Sequence, residues 1–141
     1  MSAVIPAAQV RRGLAAWLGE NVPDAVWSDT APYGPDDRAI FLRDLGSQPD
    51  TAVAVEIYHT ENDLVLPGTE VRVQLMFRGR GDVADEFADD VFPVLHGRHH
   101  FPLPGGLVVQ RAAHLYAAPL GQDDNARERR SDNYAFVFMR H

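Results

Sequence analysis

Two alternating segments on either side of a turn-rich stretch constrain the fold of this chain more than any other feature of its sequence. In residues 52–59, apolar residues such as Val55 point to one side of an extended chain and polar residues lie among those on the other. Residues 70–77 repeat the pattern around Leu75. The stretch between them, residues 61–68, contains Asn, Asp and a Pro-Gly pair, which form turns. The pattern predicts an antiparallel hairpin whose tip, at about eight residues, projects because it is longer than a tight turn.

Two segments with helical periodicity lie on either side of this hairpin. The first follows Pro6 and carries one apolar stripe before Gly19. The second follows Asp82, a good N-cap, and ends before Gly97. Further strands are predicted at residues 39–42, 107–117 and 133–139. The residues expected to form the core are Leu14, Trp17, Leu18, Val55, Ile57, Val73, Leu75, Phe87 and Val91.

The element order helix, strand, strand, strand, helix, strand, strand predicts an α+β fold. We expect one domain over residues 1–141, because domains of roughly 100–150 residues are the commonest size. The sheet is predicted to be mostly antiparallel, with four to five strands. The connection through the second helix allows one pair of strands to be parallel. Both helices are expected to pack on one face of this sheet.

The composition argues against several kinds of chemistry. The chain has no cysteine, which excludes disulfides, thiolate metal sites and a cysteine nucleophile. All 13 basic residues are arginine, so there is no catalytic or P-loop lysine. The net charge of −7 argues against a main surface that binds nucleic acid through its phosphates. A Gly-x-Ser-x-Gly nucleophile elbow is also absent from the sequence.

The start of the sequence does not resemble a targeting signal. Residues 1–6 lack a basic region followed by an apolar one. No run approaches the roughly 20 apolar residues that a membrane helix needs. We therefore expect a soluble protein made in a cytoplasm, with no membrane partner.

Two clusters of ionisable residues are candidates for chemistry. His96, His99 and His100 lie close together in the sequence, and imidazoles bind zinc or nickel. They span a predicted helix end and a turn, so a solvated turn favoured by the helix dipole is the preferred interpretation over a metal site. The second helix carries five carboxylates that fit a solvated face or an interface better than a catalytic pair: Asp82, Asp85, Glu86, Asp89 and Asp90.

Two loops are the candidate contact sites. The first is the predicted hairpin tip, with Glu61, Asn62, Asp63 and Leu64. The second is residues 119–132, a long polar connection whose first half carries acids and amides and whose second half carries arginines. Opposite charges of this kind suit pairing with a neighbouring copy, and a plain solvated loop is an equal alternative. The contact residues predicted there are Asp123, Asp124, Arg127, Arg129 and Arg130.

Several segments, taken in order, resemble a known protein family. They are residues 14–18 with 22–26, the strand 71–75, the helix 84–91 with its end at 95–97, and the borders Asp123-Asp124-Asn125 and Ser131-Asp132-Asn133-Tyr134. Together they resemble the tail terminator proteins of long-tailed bacteriophages, also called tail-completion or minor capsid proteins. The resemblance covers nearly the whole chain.

The resemblance implies a structural virion protein with no enzymatic activity and no cofactor. Such proteins form a homo-hexameric ring on the head-proximal end of the tail tube. The ring stops polymerisation of the tail tube protein and joins the tail to the head-completion (neck) protein. The resemblance also implies assembly in the cytoplasm of a host bacterium, a place in the tail or neck of the virion, and passage of DNA through the ring without sequence-specific binding. On this interpretation, Arg127, Arg129 and Arg130 face either the DNA or the next subunit.

Two alternatives to a tail terminator remain at this point. The first is another head–tail connector component or a tail tube protein, which belongs to the same structural class. The second is a metal-dependent enzyme that uses the histidine cluster.

Overall fold

The computed structural model describes residues 4–140, so residues 1–3, part of the segment considered above for a targeting signal, lie outside it, as does residue 141. A seven-stranded mixed sheet curls into a half-barrel and carries two helices. The order of strands across the sheet is β1-β2-β3-β4-β7-β6-β5. The elements in chain order are α1 (Ala7–Asn21), β1 (Ala25–Trp27), β2 (Arg38–Leu42), β3 (Ala52–Asn62), β4 (Gly68–Gly79), α2 (Val83–Leu95), β5 (His99–Pro102), β6 (Val108–Gln122) and β7 (Glu128–Met139).

The predicted architecture is wrong. The chain is mostly β, with seven strands in a curled sheet in place of four to five strands with two helices packed on one face. The strands missing from the prediction are β1 and β5, which have three and four residues and are too short to show an alternating pattern. The parallel pairs are β1–β2 and β2–β3, and neither contains a crossover through α2.

The β3–β4 hairpin is the centre of the sheet. Its ladder runs from Ala52 opposite Arg78 to Asn62 opposite Thr69. The register puts Val55 opposite Leu75, and both side chains are fully buried. The alternating pattern therefore places one face of the hairpin in the core.

Both helices contribute to that core. Helix α1 lies against β1, β2 and β3, and α2 lies against β4, β6 and β7. Phe87 of α2 meets Phe77 edge to face, with ring centroids 5.2 Å apart. Neither helix within the described residues is long and apolar enough to cross a membrane. Ile57 is partly buried, and the other predicted core residues are at most 5% exposed: Leu14, Trp17, Leu18, Val55, Val73, Leu75, Phe87 and Val91.

The predicted long loop at residues 119–132 is also wrong, because most of it is strand. β6 continues to Gln122 and β7 begins at Glu128, so residues 123–127 form the turn. The carboxylate of Asp123 closes this turn by accepting hydrogen bonds from the backbone N–H groups of Asn125 (2.9 Å) and Arg127 (3.0 Å). The sequence predicted a loop because this segment is rich in charged residues. Their partners lie on other strands and helices, which the local sequence does not show.

Candidate functional site

The central four strands give the molecule two dissimilar ends. β3, β4, β7 and β6 are neighbours in the sheet, and each pair is antiparallel. The β3–β4 loop, residues 63–67, therefore lies at one end, which we call the tip end. The β6–β7 turn, residues 123–127, lies at the opposite end, which we call the turn end. With 12 residues in β4, the ends are separated by about 40 Å at about 3.4 Å per residue.

The tip end presents exposed apolar side chains. Leu64, Val65 and Leu66 are 98%, 87% and 63% exposed. Val4 and Val108 are also exposed and line a groove that includes Met139, at the C-terminal end of β7. Consecutive apolar residues on a projecting loop are unusual on a protein surface and mark contact sites.

The backbone of the tip is held by its own chain. The carboxylate of Asp63 accepts hydrogen bonds from the N–H groups of Val65 (2.8 Å) and Leu66 (2.7 Å), and these bonds lower the pKa of Asp63. The guanidinium of Arg140 donates to the carbonyl oxygens of Gly68 (2.8 Å), Asp63 (2.9 Å) and Leu66 (3.1 Å). These hydrogen bonds connect the backbone of the tip to the rest of the chain, and a loop that is held in this way loses less entropy on binding.

Of the other two residues predicted to make contacts at the tip, Asn62 is used within the chain. Its side-chain oxygen accepts a hydrogen bond from the hydroxyl of Thr69 (2.6 Å). Glu61 stays largely exposed, with His59 at 3.5 Å. The structure thus places Glu61 and Leu64 on the accessible surface of the tip end, and gives Asn62 and Asp63 roles in holding the loop.

The turn end is organised around a buried arginine. Arg127 is 3% exposed, and its Nε donates to Oδ2 of Asp123 at 2.8 Å. Its Nη1 donates to the carbonyl oxygen of Ser47 at 2.7 Å and lies 3.4 Å from Oδ1 of Asp50. The backbone N–H of Arg127, followed by that of Asn125 and by the guanidinium of Arg127, lowers the pKa of Asp123 to about 2.

Two further arginines extend this cluster into the segment that precedes β3. Arg78 donates to the carbonyl oxygens of Pro49 (2.7 Å) and Asp50 (3.2 Å). Arg80 donates to the carboxylate of Asp50 (2.8 Å) and to the carbonyl oxygen of Asn125 (3.1 Å). Hydrogen bonding from Arg80, with a smaller contribution from Arg127, lowers the pKa of Asp50. The β6–β7 turn, β4 and the segment before β3 are therefore fastened together at the turn end.

Arg130 ties β7 to the acidic face of α2. Its Nε and Nη2 donate to the two oxygens of Asp132, at 2.8 and 3.0 Å. Its Nη1 reaches Asp85 at 3.1 Å and Asp89 at 3.5 Å. The bond to Asp132, followed by the one to Asp85, raises the pKa of Arg130. His114 completes the group, with Nε2 3.0 Å from Oδ2 of Asp132, which is 1% exposed.

The five contact residues predicted at the β6–β7 connection thus differ in their bonding and exposure. Asp123, Arg127 and Arg130 are bonded to groups of the same chain. Asp124 is exposed. Arg129 is partly exposed and makes only long contacts, of 3.3–3.5 Å, to the carbonyl oxygens of residues 120–122.

The three histidines of the predicted cluster have different surroundings in the structure. His96 stacks on Phe92, with ring centroids 4.7 Å apart, and its Nδ1 accepts a hydrogen bond from the backbone N–H of His114 (3.0 Å). His99 and His100 are exposed in β5. Within residues 4–140 there is no group of three or more His, Asp or Glu side chains arranged to hold a metal ion.

Two strands of the sheet have an edge that is open along part of its length. β2 pairs with β3 only as far as Val55, and β5 pairs with β6 only as far as Arg111. Among the described residues, 56–62 of β3 and 115–122 of β6 therefore have a strand neighbour on one side only. The open edge of β6 follows from the length of that strand. The sequence does not reveal this length, because the Pro and Gly residues of β6 are typical of a loop.

No protein-family model and no curated protein matches this chain.

Proposed function

We propose that this chain is a structural virion protein that forms a ring on the head-proximal end of a long phage tail tube. The ring stops polymerisation of the tube and joins it to the neck proteins. The observation that carries the proposal is the pair of dissimilar ends on the central four antiparallel strands of the sheet. A ring between two different partners needs a different surface on each side, and the tip end and the turn end supply them.

The tip end is suited to a protein partner. Leu64, Val65 and Leu66 project from a loop whose backbone is already fixed by Asp63 and Arg140. Apolar side chains that are exposed and preorganised lose little entropy when a partner covers them. The tip therefore acts as the docking element for one neighbouring ring.

The turn end is suited to a different neighbour. Arg127, Arg80, Asp50 and Asp123 are bonded to groups of the same chain there, so this end presents a firm polar surface. The net charge of −7 over the chain supports passage of DNA, because a ring that does not neutralise phosphates does not retain the nucleic acid.

The proposal is tested by adding the purified chain to polymerising tail tube protein and measuring tube length by negative-stain electron microscopy. We expect shorter tubes with extra density at one end, and no tubes from the chain alone. Long tubes formed by the chain alone would identify a tail tube protein instead. A persistent monomer with no affinity for tube ends would overturn the proposal altogether.

A matched pair of variants separates docking from folding. Leu64→Ser with Val65→Ser removes apolar surface from the tip, where both side chains are free, and should abolish capping. Phe92→Ser removes a partly exposed apolar side chain on α2, away from the tip, that stacks on His96, and this variant should leave capping unchanged when circular dichroism shows that it is folded. Equal capping by the two variants would show that the tip is not the docking element.

A further inference from the structure

We infer that copies of this chain join by antiparallel pairing of the open edge of β3 in one copy with the open edge of β6 in the next. The inference deepens the proposed function, on which it rests, by identifying the contact that builds the ring. It follows from four features of the two edges: their length, their chemistry, their direction and their offset.

The first feature is the length of unpaired backbone. β3 has 11 residues but β2 has five, and β6 has 15 residues but β5 has four. The short outer strands leave residues 56–62 and 115–122 open, and the two open segments are nearly equal in length. They lie on opposite sides of the central four strands, because β3 and β6 are the outer members of that group.

The second feature is the chemistry of the two edges. Edge strands in monomers commonly carry basic side chains, particularly lysine, or prolines and β-bulges, which prevent pairing with another chain. The β3 edge carries Glu56 and Glu61, the β6 edge carries Pro119, and each edge contains a bulge, but neither edge carries an arginine. Residues 115–122 (Leu-Tyr-Ala-Ala-Pro-Leu-Gly-Gln) contain no charged side chain. On β3, the backbone N–H of Ile57 donates to the carboxylate of the adjacent Glu56 at 2.8 Å, in place of a strand partner.

The third feature is strand direction. Each neighbouring pair in the order β3-β4-β7-β6 is antiparallel, so β3 and β6 run in opposite directions. When a second copy is added with its tip end on the same side, its β3 runs antiparallel to β6 of the first copy. This contact joins two different surfaces, and such contacts generate rings when the rotation closes. Pairing of β6 with β6 would make a closed dimer and leave both β3 edges unpaired.

The fourth feature is the offset of the two edges along the sheet. The middle of the β6 edge, Ala118, is level with Ser131 and Met76, and the middle of the β3 edge, His59, is level with Arg72. The edges are therefore offset by four residues of β4, or about 14 Å at about 3.4 Å per residue. A repeat of four strands is about 19 Å wide at about 4.8 Å per strand. A flat ring accommodates this offset if its strands tilt by about 36°, which lies within the tilt of roughly 35–45° found in closed barrels.

The side chains in this alignment are compatible. With His59 opposite Ala118, Glu56 lies opposite Gly121. Arg129 is beside Gly121, with Nε 3.5 Å from its carbonyl oxygen, and has no carboxylate partner among the described residues. Glu56 of one copy, which lies 3.2 Å from the guanidinium of Arg11 in its own chain, is thus placed near a second arginine that belongs to the next copy.

Disulfide trapping tests the pairing, and the chain suits it because it contains no cysteine. The alignment puts Thr60 opposite Ala117, and both are exposed. In one copy these strands are three spacings apart, about 14 Å, which is too far for a disulfide at a Cα separation of roughly 4.4–6.8 Å. We expect Thr60→Cys/Ala117→Cys to give a ladder of oligomers on non-reducing gels that ends at the closed ring.

The matched control is Thr60→Cys/Val108→Cys. Val108 is exposed but lies in the part of β6 that already pairs with β5, so this variant should remain monomeric on the same gels. Equal ladders from both variants would overturn the inference, as would a ladder that stops at dimers. Hydrogen exchange on the unmodified chain gives a second readout: amides in residues 56–62 and 115–122 should become protected on assembly, and unchanged exchange in both segments would overturn the pairing.

The failure of this inference is distinguishable from the failure of the proposed function. Rings on tube ends without cross-links or protection at either edge would overturn the pairing and keep the function. Cross-linked rings that have no affinity for tube ends would keep the pairing and overturn the function.

Discussion

Replacing Arg127 by alanine tests whether the turn end is held together within one chain. The side chain is 3% exposed and donates two short hydrogen bonds, to Asp123 at 2.8 Å and to Ser47 at 2.7 Å. Charged hydrogen bonds contribute about 1.5–3 kcal/mol each. Asp123 keeps two backbone N–H donors in the variant, which reduces the cost of losing the guanidinium. We therefore expect Arg127→Ala to lower the free energy of unfolding by about 2–4 kcal/mol.

The measurement is urea denaturation followed by circular dichroism, with Arg129→Ala as the control. Arg129 lies two residues along the same strand and makes only contacts of 3.3–3.5 Å, so its removal should change stability by less than about 0.5 kcal/mol. If Arg127→Ala is as stable as the control but loses self-association, Arg127 acts between copies and the structural assignment is refuted.

Three further predictions follow from the core, the tip and the turn. Trp17 is 5% exposed, and its ring centroid lies 4.8 Å from that of Phe101, so Trp17→Ala should lower the free energy of unfolding by about 3–5 kcal/mol. A decrease of less than about 1 kcal/mol in denaturant melts would show that Trp17 is not part of the core. Deleting residues 64–66 removes the hydrogen bonds that Leu66 forms with Asp63 and Arg140, so it should lower the melting temperature slightly, leave the chain folded and abolish binding to tube ends; normal capping by the folded variant would contradict this. Because the pKa of Asp123 is about 2 when folded and about 3.9 when unfolded, its contribution is present above pH 4 and lost towards pH 2. Asp123→Asn should make the free energy of unfolding less dependent on pH between about pH 2 and pH 4. An unchanged slope in that range would refute the contribution assigned to Asp123.

The long strands and the helices were predictable because their patterns are local. Val55 and Leu75 belong to runs that alternate over many residues, and in the structure they are cross-strand neighbours in the core. The stripe containing Phe87 likewise identifies α2, since helical periodicity is visible over 13 residues.

The number of strands was not predictable, because the short strands form only where a longer neighbour offers an edge. β1 has three residues and is defined by its parallel pairing with β2. β5 is defined in the same way by β6, although His99 and His100 give it a polar composition. In both cases the information lies in the partner strand and not in the segment itself.

The charged β6–β7 connection misled the prediction for a related reason. Arg130 lies in the extended backbone of β7 because Asp132 and two carboxylates of α2 neutralise it. Arg127 is buried because Asp123 and a carbonyl oxygen more than 75 residues away accept its hydrogen bonds. Charge predicts a solvated loop only when such distant partners are absent, and sequence spacing does not reveal them.

The central claim is a ring with two different faces, and an electron microscopy reconstruction of the chain bound to purified tail tubes tests it most directly. The account predicts one ring at one end of each tube, built from copies in the same orientation, with all their tips on one side and all their β6–β7 turns on the other. Tubes with bare ends, or copies that bind in alternating orientations, would contradict it.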